Sequence, residues 1–310
     1  MDDIRSVGRP MIILTGGEPT LREDFYDIAR AGRDRGFRMV AAPNGTRVDE
    51  SVAGRMKEAG IQRVSISLDA ADPDLHDQFR GVPGAFQGAV AGIGACRAAG
   101  LPFQVNSSIT VANVDQLGSL LELAVDLGAA AFHVFLLVTV GRGHDLVGQE
   151  VPAAAQESIL NWLYEQRMRS PIQVRATCAP HFYRILRQRA AKEARPVTTD
   201  RFGMDALTRG CLAGRGFVFI SSHGDVQPCG YLPIACGNVL VDRFRRVWEG
   251  SETLRLLRDD RALKGKCGCC EYVTVCGGCR ARAHARTGDM LAPEPFCDYR
   301  PAAVPCAPEP

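Results

Sequence analysis

Short apolar stretches alternate with amphipathic ones along the chain from Met11 to Val138. Short apolar runs of this kind predict buried parallel strands, which are covered on both faces. The runs are Met11–Thr15, Phe37–Ala42, Gln62–Leu68, Phe103–Ile109 and Ala130–Val138. Helical periodicity fills the spaces between them, at Leu21–Arg35, Asp49–Ala59, Ala85–Ala99 and Val114–Leu127. This alternation predicts an α/β fold whose parallel sheet is open or forms a partial barrel.

The pattern changes after residue 150. Residues 152–193 carry two more helical patterns with a short strand at Ile172–Arg175, and a polar segment follows to Thr208. Beyond Cys211 the sequence predicts a β-hairpin around the turn Ser222–Asp225, then short helices and a cysteine-rich block. We therefore predict four parts: a β/α domain at 1–150, a helical continuation and linker at 151–208, a small cysteine-rich domain at 209–300 and a loose tail at 301–310.

The first predicted strand runs into the sequence ILTGGEP, where two glycines and a carboxylate follow the apolar residues. Because they lack Cβ atoms, Gly16 and Gly17 let the backbone approach a ligand closely. Glu18 adds negative charge and Pro19 stiffens the exit. A small cationic ligand suits this segment, and a tight turn with a solvated glutamate is the alternative.

Polar residues also stand at the ends of the next three predicted strands. In parallel α/β folds the carboxyl ends of the strands share one edge, where ligands bind. The polar residues there are Asn44, Ser67, Asp69, Asn106 and Ser108. Because four strand ends have this character, we predict a ligand-binding rim, with ordinary helix caps as the alternative at any one position.

Composition and charge narrow the class of protein. The 310 residues are 46% hydrophobic, which supports a full core, and the net charge of +2 predicts no nucleic-acid partner. No run of about 18 apolar residues is present, so we expect neither a transmembrane helix nor a membrane partner. The opening residues MDDIRSVGRP lack the apolar core of a signal peptide, so we expect a cytoplasmic protein.

The twelve cysteines are unevenly distributed, since only Cys96 and Cys178 precede Cys211. A reducing compartment disfavours disulfides, so this concentration of thiols points to metal. The block CGCCEYVTVCGGC holds two Cys-x2-Cys pairs, and three of the cysteines outside it join these four as candidate metal ligands. The members of this set are Cys211, Cys229, Cys267, Cys270, Cys276, Cys279 and Cys297. Close spacing with remote partners favours iron–sulfur clusters, and a zinc ribbon, which usually has a longer spacer, is the alternative.

A GGEP segment after a strand, followed by a cysteine-rich C-terminal extension, resembles the radical S-adenosylmethionine (SAM) enzymes with a SPASM-type domain. The resemblance implies a partial (β/α) barrel of radical SAM type and a small iron–sulfur domain. It places Gly16, Gly17, Glu18 and Pro19 along the methionine end of SAM, whose ammonium is the cation expected above. The other rim residues would contact the amino acid and ribose of SAM, and Arg80, in HDQFRG, would meet its carboxylate.

The same resemblance divides the seven cysteines into two auxiliary 4Fe–4S clusters. One would be held by Cys267, Cys270, Cys276 and Cys297. The other would be held by Cys211, Cys229 and Cys279, which leaves its fourth ligand open. Cys236 is the nearest spare thiol, and an open iron that binds substrate is the alternative.

Within the superfamily, SISLDAADPDLHDQFRGVPGAF and the C-terminal cysteine segments resemble the heme-biosynthesis branch. The activity implied is oxidative decarboxylation of porphyrin propionates, converting iron-coproporphyrin III to heme b, with electrons from a flavodoxin or ferredoxin. Heme d1 synthesis, peptide maturation and a non-catalytic iron–sulfur protein are the alternatives. By location only, the candidates for basic residues near the substrate carboxylates are Arg142, Arg215, Arg280 and Arg282, with solvated surface charges as the alternative.

The chain departs from the family in one respect. The Cys-x3-Cys-x2-Cys motif that holds the SAM-cleaving cluster precedes GGEP in the family, whereas the first cysteine here is Cys96. The family's first strand is missing as well. We expect a chain truncated at an internal methionine, with a degenerate homologue as the alternative. The sequence as it stands is not expected to start radical chemistry.

Overall fold

The computed structural model describes residues 1–302, apart from the side chain of Arg142. Most of the predicted loose tail at 301–310, including Cys306, therefore lies outside the described residues. The chain divides into two compact units. The first comprises Met1–Phe135 with Arg169–Arg175, and the second comprises Leu136–Met168 with the chain from Ala176 onward. The four domain boundaries expected from the sequence stay predictions.

A six-stranded sheet carries its strands in chain order. The strands are β1 (Met11–Leu14), β2 (Arg38–Ala41), β3 (Ile61–Ser67), β4 (Phe103–Ile109), β5 (Ala131–Leu136) and β6 (Gln173–Thr177). The first four strands pair in parallel, β1 with β2, β2 with β3 and β3 with β4. Five of these strands lie where apolar runs predicted them, and β6 lies at the short strand predicted from Ile172.

Helices connect the successive strands of this sheet, as a parallel arrangement requires. The first unit contains α1 (Asp2–Arg5), α2 (Phe25–Asp34), α3 (Glu50–Glu58), α4 (Pro73–Arg80), α5 (Ala85–Ala98) and α6 (Leu117–Asp126). The predicted α/β class, a partial (β/α) barrel, is confirmed. The strands put apolar residues into the core, among them Val64, Ile66 and Val105, none of which is exposed.

Helix α4 was not predicted, because its sequence is strongly polar. Its ends nevertheless carry ordinary helix signals: the Asp72 side chain accepts a hydrogen bond from Leu75 N, Pro73 occupies the first turn and Gly81 ends the helix in a left-handed conformation. These signals were present in the sequence, whereas the hydrophobic period that identifies most helices was weak.

The second unit consists of longer helices followed by many short elements. Its helices are α7 (Ala153–Arg169), α8 (Phe182–Lys192), α9 (Thr199–Phe202), α10 (Phe244–Gly250), α11 (Glu252–Arg258), α12 (Gly265–Gly268) and α13 (Arg280–Thr287). Its strands are β7 (Phe219–Ile220), β8 (Asp225–Gln227) and β9 (Gly237–Asn238), which form an antiparallel sheet. The predicted hairpin is β7 and β8, while the sequence analysis does not predict β9, α9, α12 or α13. Among the described residues, no helix is long and apolar enough to cross a bilayer.

Candidate functional site

The GGEP segment follows β1 directly and borders open space. A Cβ atom added at Gly16 or Gly17 would meet no other atom within 4 Å, so the backbone here is uncovered. Glu18 bends across to the neighbouring strand end, where its Oε2 accepts a hydrogen bond from Asn44 N at 2.8 Å. Its other oxygen accepts from Thr20 N at 3.2 Å. The structure thus brings Glu18 and Asn44 together at one edge of the sheet.

The next two strands place polar side chains on a single face. In β4, Phe103, Val105 and Ser107 are buried, whereas Asn106 and Ser108 on the opposite face are half-buried. Strand β3 has the same alternation, and its Ser67 pairs with Asn106 in the parallel register. Ser67, Asn106 and Ser108 therefore line the same side of the sheet, as the predicted rim requires.

Asp69 differs from the rest of the predicted rim because it is completely buried. Its Oδ1 accepts a hydrogen bond from Ser108 N at 2.8 Å, and its Oδ2 lies 2.6 Å from Arg80 Nη2. The backbone of Asp69 is held as well, by His76 Nδ1 and by Asn113 Nδ2. Asp69 therefore orients Arg80 and the end of β4, and Arg80 keeps about a third of its side chain exposed.

These contacts fit SAM as a ligand of the rim. A bound amino-acid group needs an uncovered backbone and charged partners of both signs, and Gly16–Gly17, Glu18 and Arg80 supply them. The roles expected for individual rim residues stay predictions.

One cavity in the second unit gathers four of the predicted metal ligands. The cavity occupies about 390 Å³, including solvent at its mouth, and is lined by Cys267, Cys270, Cys276 and Cys297. These are the four cysteines that the family resemblance assigned to one 4Fe–4S cluster. They come from α12, the turn after it, the loop before α13 and the segment near residue 297, so only the fold brings them together.

The loop between Cys276 and Cys279 needs its two glycines. Gly277 and Gly278 have φ angles of 73° and 60°, a left-handed conformation that other residues adopt at a cost. A Cβ atom at Gly278 would lie 3.1 Å from Cys267 Sγ. The same sulfur accepts hydrogen bonds from Glu294 N at 3.3 Å and from Arg280 Nη2 at 3.6 Å. Donors of this kind tune iron–sulfur ligands.

An unsatisfied histidine tests whether this cavity fits a cluster. His181 lines the cavity and is 1% exposed, and among the described residues neither of its ring nitrogens has a hydrogen-bond partner. Burial lowers the pKa of His181 to about 3, so its ring is neutral and carries one N–H group. An unpaired buried donor costs about 1–3 kcal/mol. A cluster sulfide in the cavity would accept that hydrogen bond, and the residues present therefore fit the group.

Two of the other three predicted ligands, Cys279 and Cys229, lie in an apolar environment. Cys279 belongs to a buried apolar cluster, and Cys229 packs against that cluster. The other members of the cluster are Val138, Leu232, Leu257 and Ala281. Cys211 is tied to the first set, because its backbone N–H donates to the carbonyl of Cys276. We name Cys211, Cys229 and Cys279 the second cysteine group, and the four cysteines of the cavity the first cysteine group.

A buried ion pair connects the two cysteine groups. Arg282 and Glu294 are each 1% exposed, with Nε and Oε1 2.7 Å apart. The other carboxylate oxygen accepts from Cys279 N at 2.7 Å, and the backbone N–H of Glu294 donates to Cys267. Burial alone would raise the pKa of Glu294, but the Arg282 guanidinium offsets this and the pKa falls to about 2.

The structure corrects the expected role of three arginines. Arg280 donates to the carbonyls of Met290 and Ala292, and Arg282 is buried against Glu294. Arg215 pairs with Asp260 and donates to a backbone carbonyl. The hydrogen bonds and ion pairs of these three arginines hold the segments around the cysteines in place. Position in the sequence was therefore a poor guide to substrate contact. The side chain of Arg142 lies outside the described residues.

Burial keeps four thiols of the two cysteine groups protonated and therefore poorly suited to free reactivity. Burial raises the pKa of Cys279 to about 11 and that of Cys229 to about 12. Burial also raises the pKa of Cys276 and Cys297. Thiols of this kind lose their protons when a metal binds. Among residues 1–302, no three Cys, His, Asp or Glu side chains are arranged closely enough to hold a single ion.

Comparison with known proteins agrees with this geometry. The radical SAM superfamily matches residues 1–124, and an iron–sulfur cluster-binding domain, SPASM, matches residues 211–271. A structure of SuiB from Streptococcus suis, bound to its precursor peptide, superposes with a TM-score of 0.73 at 17% identity, covering 96% of this chain and 67% of that one. The chain belongs to the radical SAM enzymes with a SPASM domain.

The proteins most similar in sequence among those compared include enzymes of one branch of this class, heme biosynthesis. The chain is 50% identical to the AdoMet-dependent heme synthase of Methanosarcina barkeri, over 97% of its own length and 86% of the relative's. It is 33% identical to the pre-heme d1 synthase of Dinoroseobacter shibae, over 96% and 76%. This protein is a radical SAM oxidoreductase related to these heme-biosynthesis enzymes, and its family cofactors are SAM and 4Fe–4S clusters.

The first cysteine of the sequence is Cys96, in α5. The residues present therefore include no ligands for the SAM-cleaving cluster, which the family holds with three cysteines ahead of GGEP. We therefore derive no step through that cluster. The SAM rim and the two cysteine groups are the parts of the site that this chain provides.

Proposed function

We propose that this protein acts in heme biosynthesis, in the oxidative decarboxylation of two propionates of iron-coproporphyrin III to give heme b. Each propionate side chain loses carbon dioxide, one hydrogen atom and one electron, and becomes a vinyl group. The observation that carries the proposal is the 50% identity to an AdoMet-dependent heme synthase over 97% of the chain. The lower identity to a pre-heme d1 synthase supports heme b over heme d1.

The rim residues bind and orient SAM, which supplies the hydrogen-abstracting group when it is cleaved. Gly16 and Gly17 expose their backbone to the methionine part of SAM, and Glu18 offers a carboxylate to its ammonium group. Arg80, held in place by Asp69, offers a guanidinium to its carboxylate. Because catalysis depends on orientation, these fixed contacts determine which hydrogen atom of the substrate is reached.

The first cysteine group would hold one auxiliary 4Fe–4S cluster, which supplies an acceptor for the electron that each propionate releases. Buried ligands and neutral His181 surround the cavity, while Arg184 and Lys266 add positive charge at its wall. Positive charge and hydrogen bonds near a cluster make its reduction easier. This environment suits an electron acceptor.

We infer two further properties that follow from this function. The electron needed for SAM cleavage comes from a small redox protein, a flavodoxin or a ferredoxin. The protein is cytoplasmic, because thiolate ligands at this density require a reducing compartment.

The test is made on the gene product from its native locus, so that any residues encoded ahead of Met1 are included. The protein is purified and its clusters are reconstituted without oxygen, and it is then incubated with SAM, dithionite and iron-coproporphyrin III. The porphyrin products are separated by chromatography and their masses are determined by mass spectrometry. We expect heme b, with two carbon dioxide molecules lost per porphyrin. Cys297→Ala should abolish product and lower the iron content, whereas Cys236→Ala should change neither.

Other outcomes of this experiment would indicate a different substrate or a different metal. Turnover of a heme d1 precursor, without turnover of iron-coproporphyrin III, would identify the heme d1 alternative. Stoichiometric zinc in place of iron and sulfide would contradict the proposed cluster chemistry altogether.

A further inference from the structure

The second cysteine group has three members, and a 4Fe–4S cluster held entirely by protein thiolates needs four. Cys236, the spare thiol nearest in sequence, does not complete it. Its Sγ lies 3.7 Å from the carbonyl oxygen of Ile234. Among the described residues, Cys236 is not one of those packed against the apolar cluster that buries Cys279. The structure therefore disfavours the candidate that sequence proximity suggested.

Cys178 lies beside the second cysteine group instead. It packs against the same apolar cluster that buries Cys279, as Cys229 does. Cys178 therefore shares its apolar surroundings with two of the three members of the group, Cys229 and Cys279.

The backbone at Cys178 is also held in an unusual state. Cys178 follows β6 directly and has a φ angle of 53°, a left-handed conformation that a residue other than glycine adopts only at a cost. Strain of this kind persists where the surrounding structure requires a particular side-chain position. The carbonyl oxygen of Cys178 accepts a hydrogen bond from Arg282 Nη2 at 2.8 Å, which fixes that position.

Arg282 also places a positive charge beside the site that a fourth thiolate would complete. A 4Fe–4S cluster with four thiolates carries net negative charge, and burying that charge is costly unless a cation lies nearby. Arg282 is buried, its Nε lies 2.7 Å from Glu294 Oε1, and its Nη2 donates to the carbonyl oxygen of Cys178. A fourth thiolate at Cys178 would therefore lie next to a buried guanidinium.

We propose that Cys178 is the fourth ligand of the auxiliary cluster held by Cys211, Cys229 and Cys279. The proposal rests on the proposed iron–sulfur function of this domain and adds a residue to it. It has one mechanistic consequence. With four thiolate ligands this cluster has no open iron, so the substrate does not bind through it, and the cluster serves electron transfer.

The experiment compares Cys178→Ala with Cys236→Ala in the full gene product, reconstituted without oxygen. Iron and acid-labile sulfide are measured per chain, and reduced samples are examined by electron paramagnetic resonance. We expect Cys178→Ala to lose up to about four iron atoms and four sulfides, or to show the signal of a 3Fe–4S cluster. Cys236→Ala should match the parent protein. Persistence of the first cluster's signal in Cys178→Ala serves as the check that the domain is folded.

A second measurement reads the coordination state of the parent protein directly. Added cyanide should leave the signal of the second cluster unchanged in the parent, because no iron is open. If cyanide shifts that signal, or if Cys178→Ala keeps full iron and an unaltered spectrum, the proposal is wrong. Either of these results would leave the proposed function standing. A parent protein that contains neither iron nor sulfide would contradict both the proposed function and the assignment of Cys178.

Discussion

At the scale of single residues, Glu294 connects more of the cysteine-bearing domain than any motif indicated. Its carboxylate binds Arg282 and the backbone N–H of Cys279, and its own N–H donates to Cys267. One buried residue therefore touches both cysteine groups. The sequence offered no signal for this role, because an isolated glutamate in APEPFC reads as a loop residue.

We expect Glu294→Gln to lower the free energy of unfolding by about 3–5 kcal/mol, because it leaves the Arg282 charge buried without a partner. Glutamine keeps the shape of the side chain and can still accept a hydrogen bond from Cys279 N–H. The lost stability therefore reports the removal of the negative charge alone. Urea unfolding followed by circular dichroism under anoxic conditions measures the change.

The matched control is Lys264→Met, which removes an ion pair to Asp289 in the same domain. That pair is largely exposed and should contribute at most about 1 kcal/mol. Equal effects of the two substitutions would show that burial of the Arg282–Glu294 pair does not determine its importance.

At the scale of elements, helix α5 packs unusually closely on the loop that carries Asn44. Gly92 lies against Gly45, which has a φ angle of 90° and follows Asn44 directly. A Cβ atom at Gly92 would lie 2.9 Å from the carbonyl carbon of Gly45 and would overlap its oxygen. The packing of this helix therefore positions part of the predicted SAM rim.

Gly92→Ala should destabilise the protein by about 1–3 kcal/mol through overpacking and should weaken SAM binding by displacing the Asn44 loop. Gly94→Ala, two residues further along the same helix, meets no atom within 4 Å and should stabilise by about 0.5–1 kcal/mol. Thermal unfolding and equilibrium dialysis with labelled SAM measure the two effects. If both variants bind SAM equally well, the contact between α5 and the loop does not position the rim.

At the scale of the whole molecule, the two units are stabilised differently. The first has a sheet whose strands bury residues such as Ile66 and Val105 completely. The C-terminal part of the second has strands of only two or three residues and helices of four to eight. Elements this short contribute little on their own, so bound clusters are expected to supply much of its stability.

Removing iron with a chelator should therefore increase amide hydrogen exchange about tenfold or more in peptides from 209–300. Exchange in β3 and β4 should stay unchanged, because their core does not depend on metal. Mass spectrometry of peptides from the cluster-loaded and iron-free protein gives both values in one experiment. Unchanged exchange in 209–300 would mean that this domain is stable without clusters.

The sequence by itself determined the class of fold, because hydrophobic period is a local property and five apolar runs with intervening helical patterns are enough to define it. The family resemblance also grouped Cys267, Cys270, Cys276 and Cys297 as ligands of one cluster, and the structure places all four around one cavity. Their role as cluster ligands stays a prediction. The predicted rim residues likewise share a strand edge, because parallel strands end on the same side.

Only the tertiary structure decided which distant residues became neighbours. Cys178 stands 33 positions before Cys211 in the chain, yet it packs against the same apolar cluster as Cys229, the cluster that contains Cys279. Arg282, expected at a substrate surface, is buried because Glu294 lies opposite it in the fold. Ligand geometry and charge pairing depend on distances across the chain, and these are set by packing that no local pattern encodes.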